Sequence, residues 1–298
     1  MSLEGTQELE KSMKYYLALH PTSRERAPIV ALDSTAVQFL GHPQVNKVIS
    51  GTPPNVIVEH LPDWRFVPTL LAPGEYYPRM ARPSNDHLED SASINPENSQ
   101  AQVLIETSKG QLVALIEQLE RLFRTVHPTP ENFDVYGHDI RNVLILAATE
   151  VEAHWKGVLK ANGVSGQSTN DYVKLLPAMK LNEYGVRLPF YPWMSTFKPF
   201  QDWSREKPTQ SLAWYDAYNA IKHDRETLFR RGKLLHAIEA VCACYVMIMA
   251  QFGQVGLRPR QEINHFFNLE EIPKWDITEV YATLPSITPK PVPYPFSA

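Results

Sequence analysis

The 298-residue chain predicts a mostly α fold with a β-containing N-terminal extension. Proline placement is the first observation. Of 25 prolines, 11 fall in residues 1–100, 7 in 101–256 and 7 in the last 42. Proline removes a helix hydrogen bond and clashes with the preceding turn, so the long helices belong in the middle. Hydrophobic period is the second: from about residue 101, apolar side chains recur at helical spacing. The third is that short runs rich in Val, Ile and Phe, cut by Pro-Pro and Pro-Gly, are confined to residues 1–83.

Taken in order, residues 29–32, 37–40, 55–61 and 66–71 read as short strands, and 7–19 as a helix. This N-terminal extension suits either a small subdomain or an arm laid over the helices. Residues 84–100 carry four acidic side chains and no Lys or Arg, with little to bury, and read as a flexible linker. Leu112, Leu115, Ile116, Leu119, Leu122, Phe123 and Val126 form one helical stripe, ended by His127-Pro-Thr-Pro130. Thr129-Pro130-Glu131 is a start signal for a second stripe. It holds Ile140, Val143, Leu144, Ala147, Val151, Trp155, Val158 and Leu159, closed by Asn162-Gly163. Ser168 to Asp171 caps a short third helix. Residues 183–207 mix Tyr184, Phe190, Tyr191, Trp193, Phe197, Phe200 and Trp203 with three prolines. They read as an aromatic insertion, with a strand at 186–188 and the rest a hydrophobic flap. Thr209 opens a fourth helix toward His223, and a fifth runs from about Lys233 to Phe252, where Gly253 stops it. The helical domain is thus 101–256, a bundle of about five helices, and 257–298 is a Pro-rich tail whose last 14 residues favour extended chain.

A net charge of -4 excludes a chain that is basic overall, so any nucleic-acid contact must use a local patch. Cys242 and Cys244 point apart on a helix and read as buried fillers. The most apolar run, Ala240 to Ala250, is too short to span a bilayer and follows His236 and Glu239. It reads as a core helix, which predicts no membrane role. No basic stretch followed by an apolar core occurs in the first 30 residues, which with scarce cysteine predicts a cytoplasmic protein. Phosphate-binding loops, dinucleotide fingerprints, nucleophile elbows and HExxH are all missing, and the ten histidines lack metal-ligand spacing. No cofactor and no metal are expected.

One stretch does look like a site. Trp214 to Arg225 ends a helix with Asn219, Lys222, His223 and Arg225. Asn219 and His223 share a helix face at i,i+4. A histidine in a basic setting can hold a phosphate or move a proton near neutral pH. Lys222, Arg225, Arg230, Arg231 and Lys233 stand against Asp224 and Glu226, a local excess of +3. The same pattern also suits basic residues that complement a helix C-terminus. Glu152 and Lys156, again i,i+4, form either a surface ion pair or part of a cleft with His223. Arg141 and Asp139 open the same helix.

From about 101 to 253 the chain resembles the HEPN superfamily, small α-helical domains that often bind or act on RNA. Arg141 to Lys156 looks like the long early helix of that fold, and Glu152-x-x-x-Lys156 resembles its Glu-x3-Lys element. Gly157 follows, where Arg or Asn is common. Tyr218 to Asp224 resembles the Arg-x(4–6)-His motif, with Asn219 as its polar residue and His223 as its histidine. Asp216, Ala217 and Tyr218 stand where the motif arginine belongs. The resemblance implies metal-free handling of RNA across a cleft shared by a homodimer, with His223, Asn219 and Lys222 as the reacting set. Arg141, Glu152, Lys156, Arg225, Arg230 and Arg231 would then line the binding surface. Three functions follow as expectations: a non-catalytic module binding RNA, a nucleotide or a protein partner; a divergent ribonuclease of a stress or phage-defence system; and an interaction protein with no nucleic-acid role.

Overall fold

In this computed structural model the described residues are 14–19, 26–31, 36–39, 48–50, 64–84, 91–92, 99–224, 226–257, 261–284 and 287–296. They are mainly helical, with short strands. The chain divides into two compact units.

The first unit draws on Met1–Tyr76, Arg82–Ile94 and Trp275–Val292. Its main element is an antiparallel sheet of β1 (Lys14–Leu19), β2 (Arg26–Ala31), β3 (Ala36–Phe39), β4 (Val48–Ser50) and β5 (Arg65–Pro68), ordered β4-β3-β2-β1-β5. β1 lies inside the sheet, pairing Lys14 with Ala31 of β2 on one side and Tyr16 with Pro68 of β5 on the other. The expected helix over 7–19 is therefore corrected in its described part. Lys14–Leu19 holds consecutive Tyr15, Tyr16 and Leu17, and ladders on both edges override a weak helical period. The expected strands at 29–32, 37–40 and 66–71 overlap β2, β3 and β5, the last ending at Pro68, whereas 55–61 lies outside the described residues. So does most of the expected linker; of its described residues, Ser84 bridges Tyr281, Ser91–Ala92 (β8) pairs with Arg82–Pro83 (β7), and Ser99 and Gln100 already belong to a helix. Glu75–Tyr76 (β6) runs parallel to Lys290–Pro291, the extended part of the expected tail, whereas Gln261–Phe266 of that tail is helical and Asn268–Glu271 a strand.

The second unit comprises Tyr77–Ala81, Asn95–Lys274 and Pro293–Ala298. α1 (Ser99–Phe123) and α2 (His138–Ala161) follow the predicted stripes. Every apolar residue predicted for α2 is buried, joined by Ala148 and His154. Asn162 closes α2: its Nδ2 donates to the Val158 and Pro78 carbonyls, and Gly163 takes φ 76°. α3 (Thr169–Tyr172) and α4 (Leu175–Met179) replace the single short helix expected there. Asp171 caps α3 by accepting from the Gln167 and Ser168 N–H groups. β9 (Gly185–Arg187) is the strand expected in the aromatic insertion, and pairs with β10 (Asn268–Glu271).

Most of the insertion is indeed packed in. Tyr184, Phe197, Phe200 and Trp203 are buried, while Phe190 and Trp193 stay exposed. Trp203 stacks on the wholly buried Trp155 at 4.8 Å between centroids. α5 (Ala213–His223) starts four residues later than Thr209 predicts. The Thr209 hydroxyl bonds instead to Thr169, and Ser211 accepts from the Ser204 N–H, so 204–212 is a turn tied to the insertion.

α6 (Leu234–Leu257) is interrupted at Gly253, φ 67°, where the sequence places its stop. α7 (Gln261–Phe266) follows. By length and composition, Leu234–Gly253 is apolar enough to cross a membrane. The short apolar run expected at Ala240 to Ala250 is thus the middle of a longer apolar helix. It is burial, 83% of its most apolar window, that marks it as the core helix of this unit. Cys242 and Cys244 are free and buried within it, as small fillers.

Candidate functional site

The predicted residues divide between two places. One joins α2 to α5. The Glu152 side chain is only 14% exposed. It accepts the Tyr215 hydroxyl at 2.5 Å and lies 3.8 Å from Lys156 Nζ. Asn219 donates to the Tyr215 carbonyl at 3.1 Å. Lys222 donates to the Tyr218 hydroxyl at 2.9 Å and covers the same ring. Burial, and then the Glu152 carboxylate, push the Tyr215 phenol well above its ordinary value, so it remains a proton donor. The Tyr218 hydrogen bond raises Lys222, which stays a cation. The sequence motif thus brings Glu152, Asn219 and Lys222 into one tyrosine-lined network. The outward Lys156 is a surface partner contributing about 0.3–0.5 kcal/mol.

His223 ends α5, exposed and making no hydrogen bond or ion pair with a described residue. Arg141 does not reach it. That guanidinium donates to Asn142 Oδ1 at 2.9 Å and lies 5.5 Å over the Phe229 ring. Arg225 lies outside the described residues. Asp216, which occupies the expected arginine position, instead forms an ion pair with Arg231. An arginine from beyond the helix is thereby fixed on the face it shares with His223, seven residues and about 10.5 Å along the axis.

The second place is a hollow of about 490 Å³ lined by Asp134, Tyr136, Arg230, Arg231, Lys233 and His236. Backbone pairing builds it. Tyr136 bridges Lys233, while the Leu234 and Leu235 N–H groups donate to the Val135 and Phe133 carbonyls. The starts of α2 and α6 are thereby pinned together. Lys233 is paired with Asp134 at 2.7 Å, and this bond holds the carboxyl below its ordinary value. Arg230 is exposed and pairs with no described residue. At the rim Tyr136, 51% exposed, meets Phe229 edge to face at 5.9 Å, and His138 lies 4.8 Å from the same ring.

His236 sits in the first turn of α6. Its Nδ1 lies 2.8 Å from the Arg231 carbonyl oxygen. A carbonyl only accepts, so Nδ1 carries the hydrogen and Nε2 keeps its lone pair. Burial, aided by the Lys233 and Arg231 charges, lowers the imidazole below its ordinary value despite that bond, so the ring is neutral at pH 7. The hollow therefore combines three cations, one paired carboxylate, a half-exposed aromatic ring and one neutral imidazole. That set suits an anion carrying a flat ring.

Comparison with known proteins gives no match: no family model, no curated protein and no solved structure is similar to this chain. Asp134, Tyr136 and His236 were not legible as site residues in the sequence. Their only signal is placement just before or inside the first turn of a helix, beside the Arg230 to Lys233 run.

Proposed function

We propose that the helical unit is a HEPN-like module that binds single-stranded RNA, or a nucleotide, without cleaving it. The hollow carries this reading. Arg230, Arg231 and Lys233 supply donors for phosphate oxygens, and the exposed Tyr136 ring offers a face on which a base stacks. The bond between Glu152 and Tyr215 supports the resemblance, because it joins the Glu-x3-Lys helix to the helix ending in His223. Holding is favoured over cleavage because the guanidiniums of Arg141 and Arg231 are engaged with Asn142 and Asp216, and that of Arg230 with solvent, rather than with His223.

The test is fluorescence anisotropy of a labelled single-stranded RNA at 50 and 200 mM salt. Wild-type affinity should fall with salt. Arg230→Ala with Arg231→Ala should weaken binding roughly tenfold at low salt and flatten the salt slope by about one to two. Arg230→Ala alone breaks no described contact and should give part of the loss without unfolding. Absence of RNA binding at 50 mM salt overturns the reading. Cleavage in EDTA by wild type but not by His223→Ala would replace it with the ribonuclease.

A further inference from the structure

We propose that His236 distinguishes RNA from DNA by accepting a hydrogen bond from a ribose 2′-hydroxyl. The inference rests on the RNA-binding reading and deepens it. Arginine and lysine have no acceptor to offer, so Arg230, Arg231 and Lys233 make the hollow a donor surface matched to phosphate oxygens. The Asp134 carboxylate, bound to Lys233 through Oδ1, is an anion and is repelled by a neighbouring phosphate. His236 is different. With Nδ1–H donated to the Arg231 carbonyl, whatever the ring offers a ligand it offers through Nε2, and a neutral Nε2 accepts.

A hydrogen-bond acceptor among cations is poorly suited to an anion and well suited to a hydroxyl beside one. The 2′-hydroxyl of RNA is such a group, on the carbon next to the one bearing the 3′-phosphate. DNA lacks it, so a bound deoxy strand would leave the Nε2 lone pair dehydrated and unmet, a penalty RNA avoids. The neighbouring phosphate would occupy the Arg230, Arg231 and Lys233 side of the hollow. His236 is buried enough for this difference to be felt, since burial is the main cause of its lowered basicity.

The experiment measures affinities of a 12-nucleotide oligouridine and the matching oligodeoxyuridine, which differ only in the 2′-hydroxyls. Wild type should prefer the ribo strand by roughly five- to tenfold. His236→Phe keeps a flat ring, has no acceptor, and should bring the ratio to about one. His236→Gln can donate its amide to the Arg231 carbonyl and present its own oxygen to the ligand, so it should keep most of the preference. A wild-type ratio near one, or a ratio that survives in His236→Phe, overturns the inference while leaving RNA binding standing. Should His236→Phe not fold, loss of the preference in a folded His236→Gln overturns it equally. If neither strand binds wild type, the RNA-binding reading fails first.

Discussion

Arg79 has left-handed backbone, φ 56°, in which a residue with a side chain is strained. What holds it there is its own guanidinium. Nε donates to Gln251 Oε1 at 2.8 Å, and Gln251 Nε2 donates in turn to the Met247 carbonyl and to His154 Nδ1. His154 must then carry its hydrogen on Nε2. Burial, followed by the Arg79 charge, lowers it to about 3, so it stays neutral beside a cation. The same burial lowers Arg79 to about 10, still charged at neutral pH. The far end of Arg79 lies over Gly157. A Cβ built there would fall 1.9 Å from Nη1. This accounts for the glycine at 157: a guanidinium already fills the space, delivered from residue 79. Gly→Ala inside a helix ordinarily gains about 1 kcal/mol. Here it would expel Arg79 and forfeit a charged hydrogen bond of roughly 1.5–3 kcal/mol. Gly157→Ala should therefore destabilise the chain by about 0.5–2 kcal/mol in urea denaturation. In an Arg79→Ala background the same change should stabilise by about 0.5–1 kcal/mol. A gain in both backgrounds would mean that Arg79 does not occupy that space.

Among the elements, the buried face of α2 is legible in the sequence because it follows one apolar stripe, and such a stripe needs no knowledge of its partner; the start signal at Thr129-Pro130-Glu131 instead opens a one-turn 3-10 helix, Pro130–Asn132, and α2 begins at His138. The stop of α6 was equally plain, since only glycine adopts the φ of 67° found at 253 without strain. The start of α5 departs from the sequence signal because the Thr209 hydroxyl, a good cap in isolation, is taken by Thr169 from 40 residues away. Long-range partners of that kind leave no local mark. α6 also carries a charge its apolar run does not advertise. Glu239 is half-buried with Oε2 unpartnered, and burial, with the Asp202 charge, raises it to about 7. The sign follows from the raised value. Between the unfolded value of 4.5 and 7 the folded chain binds more protons than the unfolded one, so stability from this group falls as pH rises through that window. Glu239→Gln removes the titration. Relative to wild type it should gain about 2 kcal/mol more at pH 8 than at pH 5.5, read from denaturation midpoints at the two pH values. A constant difference across pH would show that Glu239 ionises normally in the fold.

Over the whole molecule, a net charge of -4 means that the long-range field does not draw in nucleic acid, so any attraction is local and felt within about a Debye length. The basic run from Lys222 to Lys233 was visible in the sequence, but its pairing in space was not. Asp216 answers Arg231 from 15 residues away, and Asp134 answers Lys233 from 99. These acids reduce the local excess that a count along the chain suggests. They also supply a test that loss of fold cannot imitate. Asp134 is 84% exposed, so its ion pair contributes little to stability. It nevertheless neutralises one of the three cations of the hollow. Asp134→Asn frees the Lys233 ammonium and should tighten RNA binding roughly three- to tenfold at 50 mM salt. The salt slope should steepen by about one, so that the gain shrinks by 300 mM. Unfolding or aggregation lowers affinity and could not produce such an increase. Unchanged or weaker binding by a well-folded Asp134→Asn would mean that phosphate does not enter the hollow, and the cations there would serve only the junction between α2 and α6.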